Sequence, residues 1–249
     1  MNRALYFCFI FASSITARSH HDFRIVIDPG HGAHDTGAQC FGLCEKHIAL
    51  DIGRRVTHFL KKSGYTKTLL TRTKDVGLSL TQRSELAAQI KADLFVSIHV
   101  NSGGTKATAQ GIETFYLRGK AFLPPTRQGG FMFLNVKNKK EATELVDQAL
   151  QKNIGDSENL AKSIQNNLVG LLHQNNHQIT NRGVKTDEHR VLLRSAVPAA
   201  LVEVGFLTNP QEARLLSKKN YRQLLAIGIG KGIQEYLRNM DPTITSTQS

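Results

Sequence analysis

The segment Ile25-Val26-Ile27-Asp28-Pro29-Gly30-His31-Gly32 constrains the fold more than any other stretch of the chain. Three apolar residues running into Asp-Pro-Gly read as a buried strand that stops at a turn, because proline removes a backbone donor and glycine permits positive φ. A histidine then stands at the carboxyl end of a strand. In open α/β sheets ligands bind at that end, so His31 is the first candidate functional residue.

The rest of the chain alternates strand and helix signals. Ile48, Ile52, Val56, Phe59 and Leu60 recur at helical spacing and Gly64 follows, which predicts a helix. Lys67–Thr71 is a second strand, and Ser79 with Gln82 three residues on has the capping-box form that opens a helix. Asp93–Ile98 is a near-continuous apolar run of the kind buried on both faces, and it ends in His99. Ile112–Leu117 alternates more and is expected nearer an edge; Val191–Leu193 and Ala199–Val204 are the last strand candidates. A helix is expected over 157–173, another from Asn209-Pro210, and a final one over 221–237 whose Gly228 and Gly232 imply close approach to a neighbour. Residues 119–156 lack regular signals beyond a short helix near 137–147 and read as an insertion. The expected fold is a single α/β domain, a mostly parallel six-stranded sheet with helices on both faces.

The first 17 residues have a positive start at Arg3, an apolar run over Ala4–Ala12 and a small-residue exit, the pattern of a signal peptide. That predicts export to the periplasm or cell envelope, with no membrane span beyond the leader. Residues 239–249 are expected to be a disordered tail. The chain carries a formal charge of +12, and removal of the leader takes away only Arg3. An exported basic protein is expected to meet an anionic envelope polymer. No basic run with interleaved aromatics points to nucleic acid, and none is expected as a partner. Cys40 and Cys44 are either a short disulfide loop or two thiols.

His31, His99 and Glu203 fall at comparable places, each flanked by apolar strand sequence. A buried carboxylate is costly unless paired or metal-bound, so convergence at one rim is the economical reading. Two histidines, a carboxylate and an open position for water make a catalytic zinc site. A further carboxylate is then wanted as general base and acid, and Glu45 and Glu203 are the two candidates. Local sequence alone leaves Glu45 as a favourable charge at a helix N-terminus. His173 and His177, four apart, and His34 and His47 have bland readings as helix-end or surface residues. Asp28 is a candidate to orient a ligand histidine, Asn101 a candidate to hold substrate, and Arg83 an ion-pair residue.

The stretches VIDPGHG, Glu45-Lys46, LLTRT, LFVSIHVNS, GIETFYL, NRGVK and PAALVEVGFLTNP occur in the order found in zinc-dependent N-acetylmuramoyl-L-alanine amidases. Over residues 23–238 the chain resembles the catalytic domain of that family. The resemblance implies one Zn²⁺ per chain held by His31, Glu45 and His99, with Glu203 as catalytic acid/base. It implies cleavage of the amide between N-acetylmuramic acid and L-alanine, with peptidoglycan or a muropeptide as substrate. Some relatives insert a regulatory helix over the zinc. Residues 119–156 are the place for one here, with Glu141 or Glu144 as blocking group and an activator protein as partner.

Overall fold

The computed structural model describes residues 19–118, 139–187, 189, 191–192 and 195–242. The leader and the tail expected from the sequence lie outside those residues, apart from the start of the tail. The elements in chain order are β1 (Ile25–Pro29), a hairpin of β2 (Gln39–Cys40) and β3 (Leu43–Cys44), α1 (Glu45–Lys62), β4 (Thr68–Leu70), α2 (Leu80–Gln89), β5 (Leu94–Asn101) and β6 (Ile112–Tyr116). There follow α3 (Lys139–Gln174), β7 (Asn181–Thr186), β8 (Ala199–Phe206), α4 (Pro210–Leu216) and α5 (Lys219–Met240). Six strands form one sheet in the order β4-β1-β5-β8-β6-β7. All neighbours run parallel except β6 and β8.

Burial explains why the central strands read so clearly. Every residue of β1 and β8 is buried, one side of the sheet facing α1, α3 and α5 and the other facing α2 and the chain around Val191–Leu192. α2 begins as its sequence predicts, with the Ser79 hydroxyl accepting from Gln82 N and the Gln82 side chain accepting from Ser79 N. α4 begins on Asn209, whose side chain accepts from Gln211 N and Glu212 N, with Pro210 first in the helix. Gly228 and Gly232 of α5 face α3 at very short range. A Cβ on Gly228 would lie 2.7 Å from Leu168 Cα, and one on Gly232 2.4 Å from Ile164 Cα.

Two expectations need correction. The sixth strand is Asn181–Thr186, and Val191–Leu192 forms a turn whose apolar side chains are buried against the sheet face opposite α1. Apolar content marked burial there, and burial needs no strand. Secondly, residues 139–156 are no separate short helix but the first half of α3, continuous to Gln174; residues 119–138 lie outside the described residues. Of the two readings left open for Cys40 and Cys44, the structure has both thiols free. Cys40 pairs with Leu43 across the hairpin, so strand alternation puts Cys44 on the opposite face, where its thiol donates to Thr36 O at 3.3 Å.

Candidate metal centre and acid/base

The ends of β1, β5 and β8 and the start of α1 meet at one rim of the sheet. His31 follows β1 in the left-handed region at φ 59°, a conformation rare for a side chain this large and characteristic of functional turns. Arg83 and Arg72 hold that turn from behind. Arg83 donates to Pro29 O and His31 O, and Arg72 donates to Pro29 O and Gly30 O. Asp28, fully buried, anchors the assembly by accepting from Arg83 at 2.7 Å, Thr71 at 2.6 Å and Ser97 at 2.8 Å.

Glu45 is the first residue of α1, and its carboxylate is fixed by backbone donors. Ala38 N donates to Oε2 at 2.7 Å and Val100 N to Oε1 at 3.0 Å. The same Oε1 lies 3.0 Å from His31 Nε2 and 2.9 Å from His99 Nδ1, and those two nitrogens are 3.1 Å apart. Glycines leave room for this convergence. A Cβ on Gly30 would stand 2.3 Å from the His99 ring, and one on Gly37, at φ 63°, 2.4 Å from Glu45 Oε2.

These donors fit a metal ion. Bonds of about 2.0–2.1 Å in a tetrahedron place neighbouring donor atoms roughly 3.3 Å apart, and the three contacts fall within a few tenths of an ångström of that. Among the described residues, His31, Glu45 and His99 are the cluster that can hold an ion. His31 also carries the outer support expected of a ligand, since its Nδ1 bonds Asp35 Oδ1 at 2.8 Å and leaves Nε2 to face the cluster. The orienting acceptor is therefore Asp35 and not Asp28. Among the described residues Asp28 makes no hydrogen bond to a histidine side chain, and it bears on the His31 backbone through Arg83.

Glu203 lies opposite His99 in the parallel register of β5 and β8, and opposite Glu113 in the antiparallel register of β8 and β6. Registered neighbours share a sheet face, so His99, Glu203 and Glu113 form one row. Glu203 is 8 % exposed and its Oε2 has no hydrogen-bond partner among the described residues. Burial, reinforced by the charges of Glu45 and Glu113, pushes its carboxyl well above the usual range. Glu45 is the reverse case. Burial alone would raise it, but hydrogen bonds and charge from His31 and His99 hold it well below the usual range. Glu113 is also buried, yet Lys185 and Arg182 both reach its Oε2 and keep it ionised.

Asn101 spends one amide hydrogen and one carbonyl lone pair within the protein. Its amide donates to Glu113 Oε1 at 2.6 Å and its carbonyl oxygen accepts from Ser102 N. His173 bonds Ile179 O, His177 stacks edge-on against Tyr221, His47 lies 3.6 Å from Asp75, and His34 is exposed. None of the four joins the site. Sequence reading missed Asp35, Arg72 and Glu113. The signals were present only as a carboxylate four residues after His31 and as single polar residues inside LLTRT and GIETFYL.

α3 runs the wrong way for Glu144 to cover this rim. Ser157 Oγ accepts from Ala199 N at the amino end of β8, whereas Gln165 donates to Ile112 O, next to the Glu113–Glu203 pair. Moving backward along the helix leads away from the ligands, and at 1.5 Å per residue Glu144 lies about 20 Å beyond Ser157. The Glu141 side chain lies outside the described residues.

Two histidines and an ionised carboxylate, with a protonatable carboxyl in the adjacent row, define a metal-assisted hydrolase on an α/β sheet. Comparison with known proteins narrows that class. The family profile described as N-acetylmuramoyl-L-alanine amidase matches residues 25–235, and the chain belongs to this family. It is 32% identical over 233 residues to the Escherichia coli N-acetylmuramoyl-L-alanine amidase AmiA, covering 87% of this chain and 77% of that one. It is likewise 32% identical to Neisseria meningitidis AmiC, of which it spans about half, 52%. Among solved structures, the Nostoc punctiforme amidase AmiC2 matches with a TM-score of 0.67 at 29% identity, covering 87% of this chain and 97% of that chain.

Proposed function

We propose that the chain hydrolyses the amide between N-acetylmuramic acid and L-alanine in peptidoglycan, using one zinc ion per chain held by His31, Glu45 and His99. Zinc in such a site polarises the carbonyl and lowers the pKa of water to about 7. Glu203 is the general base and acid. A cation at the neighbouring ligands would favour the ionised form of Glu203, whose unpartnered Oε2 then takes a proton from the attacking water and returns it to the departing L-alanine nitrogen. Water thus adds hydroxyl to the lactoyl carbon and hydrogen to the amine, and the stem peptide leaves with a free L-alanine amino terminus. Glu45, ionised by its histidine partners, stays a ligand and takes no proton. The observation that carries the reading is the adjacency of the converging His31, Glu45 and His99 donor atoms to a buried carboxyl whose Oε2 has no hydrogen-bond partner among the described residues.

Export belongs to the proposal, supported by residues 1–17 and by a family whose substrate is a wall polymer. Among the described residues no helix is long and apolar enough to cross a membrane. An accessory protein acting through residues 119–156 is also proposed, on the precedent of the Clostridioides difficile relative CwlD, solved in complex with the GerS lipoprotein. Unchanged basal hydrolysis after deletion of residues 137–151 would remove autoinhibition from that proposal.

The test is mass spectrometry of digested peptidoglycan beside metal analysis of the protein. Released stem peptides beginning with L-alanine, lost on zinc removal and restored on its return, are the expected result. Full activity without metal, or a different cleaved bond, would overturn the assignment.

A further inference from the structure

The β2–β3 hairpin holds an aromatic side chain in a costly place. Its two turn residues, Phe41 at φ 51° and Gly42 at φ 73°, both lie in the left-handed region. A two-residue turn of this kind favours asparagine or aspartate before the glycine, because those side chains tolerate that backbone. Phenylalanine does not, and here it recovers little by burial. Phe41 is 59 % exposed, the most exposed large hydrophobic among the described residues, while its neighbours Cys40 and Leu43 pack against the core. Neither turn geometry nor packing accounts for it.

Its position does point to a ligand. The hairpin grows out of the ligand shell itself, since Ala38 N holds Glu45 Oε2, Glu45 N donates back to Ala38 O, and Cys44 leads directly into Glu45. From the Gln39–Cys44 pair the turn is two residues away, about 7 Å of extended chain. On the proposed reading, the scissile amide hangs from the lactoyl arm of a muramic acid ring. A pyranose must therefore lie within about one ring's width of the metal centre. Amino sugars with equatorial substituents present flat C–H faces, and an exposed aromatic ring buries such a face well.

We propose that Phe41 is a glycan-binding residue, stacking on a sugar ring of the peptidoglycan strand beside the scissile bond. This rests on the amidase reading and adds the sugar contact to it. The two-residue turn fixes the Phe41 backbone before substrate arrives, so no loop has to be ordered on binding.

The chain contains no tryptophan, so Phe41→Trp places a single indole reporter at the turn. Its emission is followed while adding glycan strands stripped of stem peptides, free stem peptide, or vesicles of phosphatidylethanolamine and phosphatidylglycerol. A saturable blue shift with stripped glycan and none with stem peptide is expected. No change with glycan, or a change with vesicles alone, overturns the proposal. In parallel, Phe41→Ala is expected to raise KM on polymeric peptidoglycan about threefold to tenfold with kcat held within twofold, and Phe41→Tyr to restore KM. Phe41→Asn separates binding from structure, because it is expected to raise the thermal midpoint while losing the same KM. A fall in midpoint with unchanged KM would make Phe41 merely structural. Should the wild-type chain release no stem peptides, the amidase reading fails, yet the indole titration still reports whether the turn binds sugar.

Discussion

Glu45 and Glu203 stand at the same rim, are 4 % and 8 % exposed, and carry the same carboxyl group, yet the fold shifts their titrations in opposite directions. The difference lies in donors. Glu45 receives two backbone N–H groups and faces two imidazoles, whereas Glu203 receives nothing at Oε2 and faces two other acids. A carboxylate surrounded by donors is ready to bind a cation and poor at moving protons. A buried carboxyl without donors is the reverse. The site divides binding from proton transfer by placing one acid where the N–H groups of Ala38 and Val100 converge and the other within a strand, where none reaches its Oε2.

The most severe test of this division exchanges each acid for its amide. Glu203→Gln is expected to lower kcat by about 10²–10⁴-fold while zinc stays bound at one per chain. Glu45→Gln is expected to lose activity together with metal. Metal content by atomic absorption beside single-turnover rates separates the two, and a Glu203→Gln protein that loses its zinc would break the division.

Next in size is Gly30→Ala. Its Cβ would stand 2.3 Å from the His99 ring, so the imidazole has to leave its place beside Glu45. Zinc affinity is expected to fall more than tenfold, read by competition with a chelator. Asp35→Asn acts on the same half of the site more gently. It weakens the acceptor on His31 Nδ1 and is expected to cost about 10–100-fold in metal affinity. If Asp28→Asn instead gave the larger metal defect with the fold intact, the support of His31 would run through its backbone and not its ring.

The two halves of the site were unequally legible in the sequence. His31, His99 and Glu203 end or occupy strands buried on both faces, and such strands write continuous apolar runs in which a polar residue stands out. Glu45 was ambiguous, because a carboxylate in a first helical turn looks the same whether or not it binds a metal; the family resemblance, not local chemistry, marked it. Asp35 and Glu113 take their meaning from partners in space. Glu113 is read only with Arg182 and Lys185, which lie on β7, an edge strand too polar to show alternation. The same polarity hid β7 itself, while Val191 and Leu192 imitated a strand by packing under the sheet.

The smallest effect tests Glu203 where no substrate is involved. In the metal-free protein its carboxyl titrates above the value it has in the unfolded chain, so folding favours the protonated form. Below the unfolded value both states hold the proton and nothing is lost. As pH rises between the two values, the unfolded state has released its proton and the native state has not, so stability falls with a slope of about 1.4 kcal/mol per pH unit. Above the folded value the loss is complete. Glutamine cannot ionise and escapes this cost. Metal-free Glu203→Gln is therefore expected to melt higher than wild type at neutral pH, by about 2–4 °C for each kcal/mol recovered, and to lose that advantage near pH 4. Glu45 carries the opposite sign: its paired carboxylate stabilises above the unfolded value and loses that contribution as pH falls through its depressed folded value. Glu45→Gln is thus expected to melt lower than wild type at neutral pH, with the deficit shrinking in acid. Calorimetry of the two variants at neutral and acidic pH checks both signs at once, and melting shifts of the same sign at neutral pH would show that the two titrations are not shifted in opposite directions.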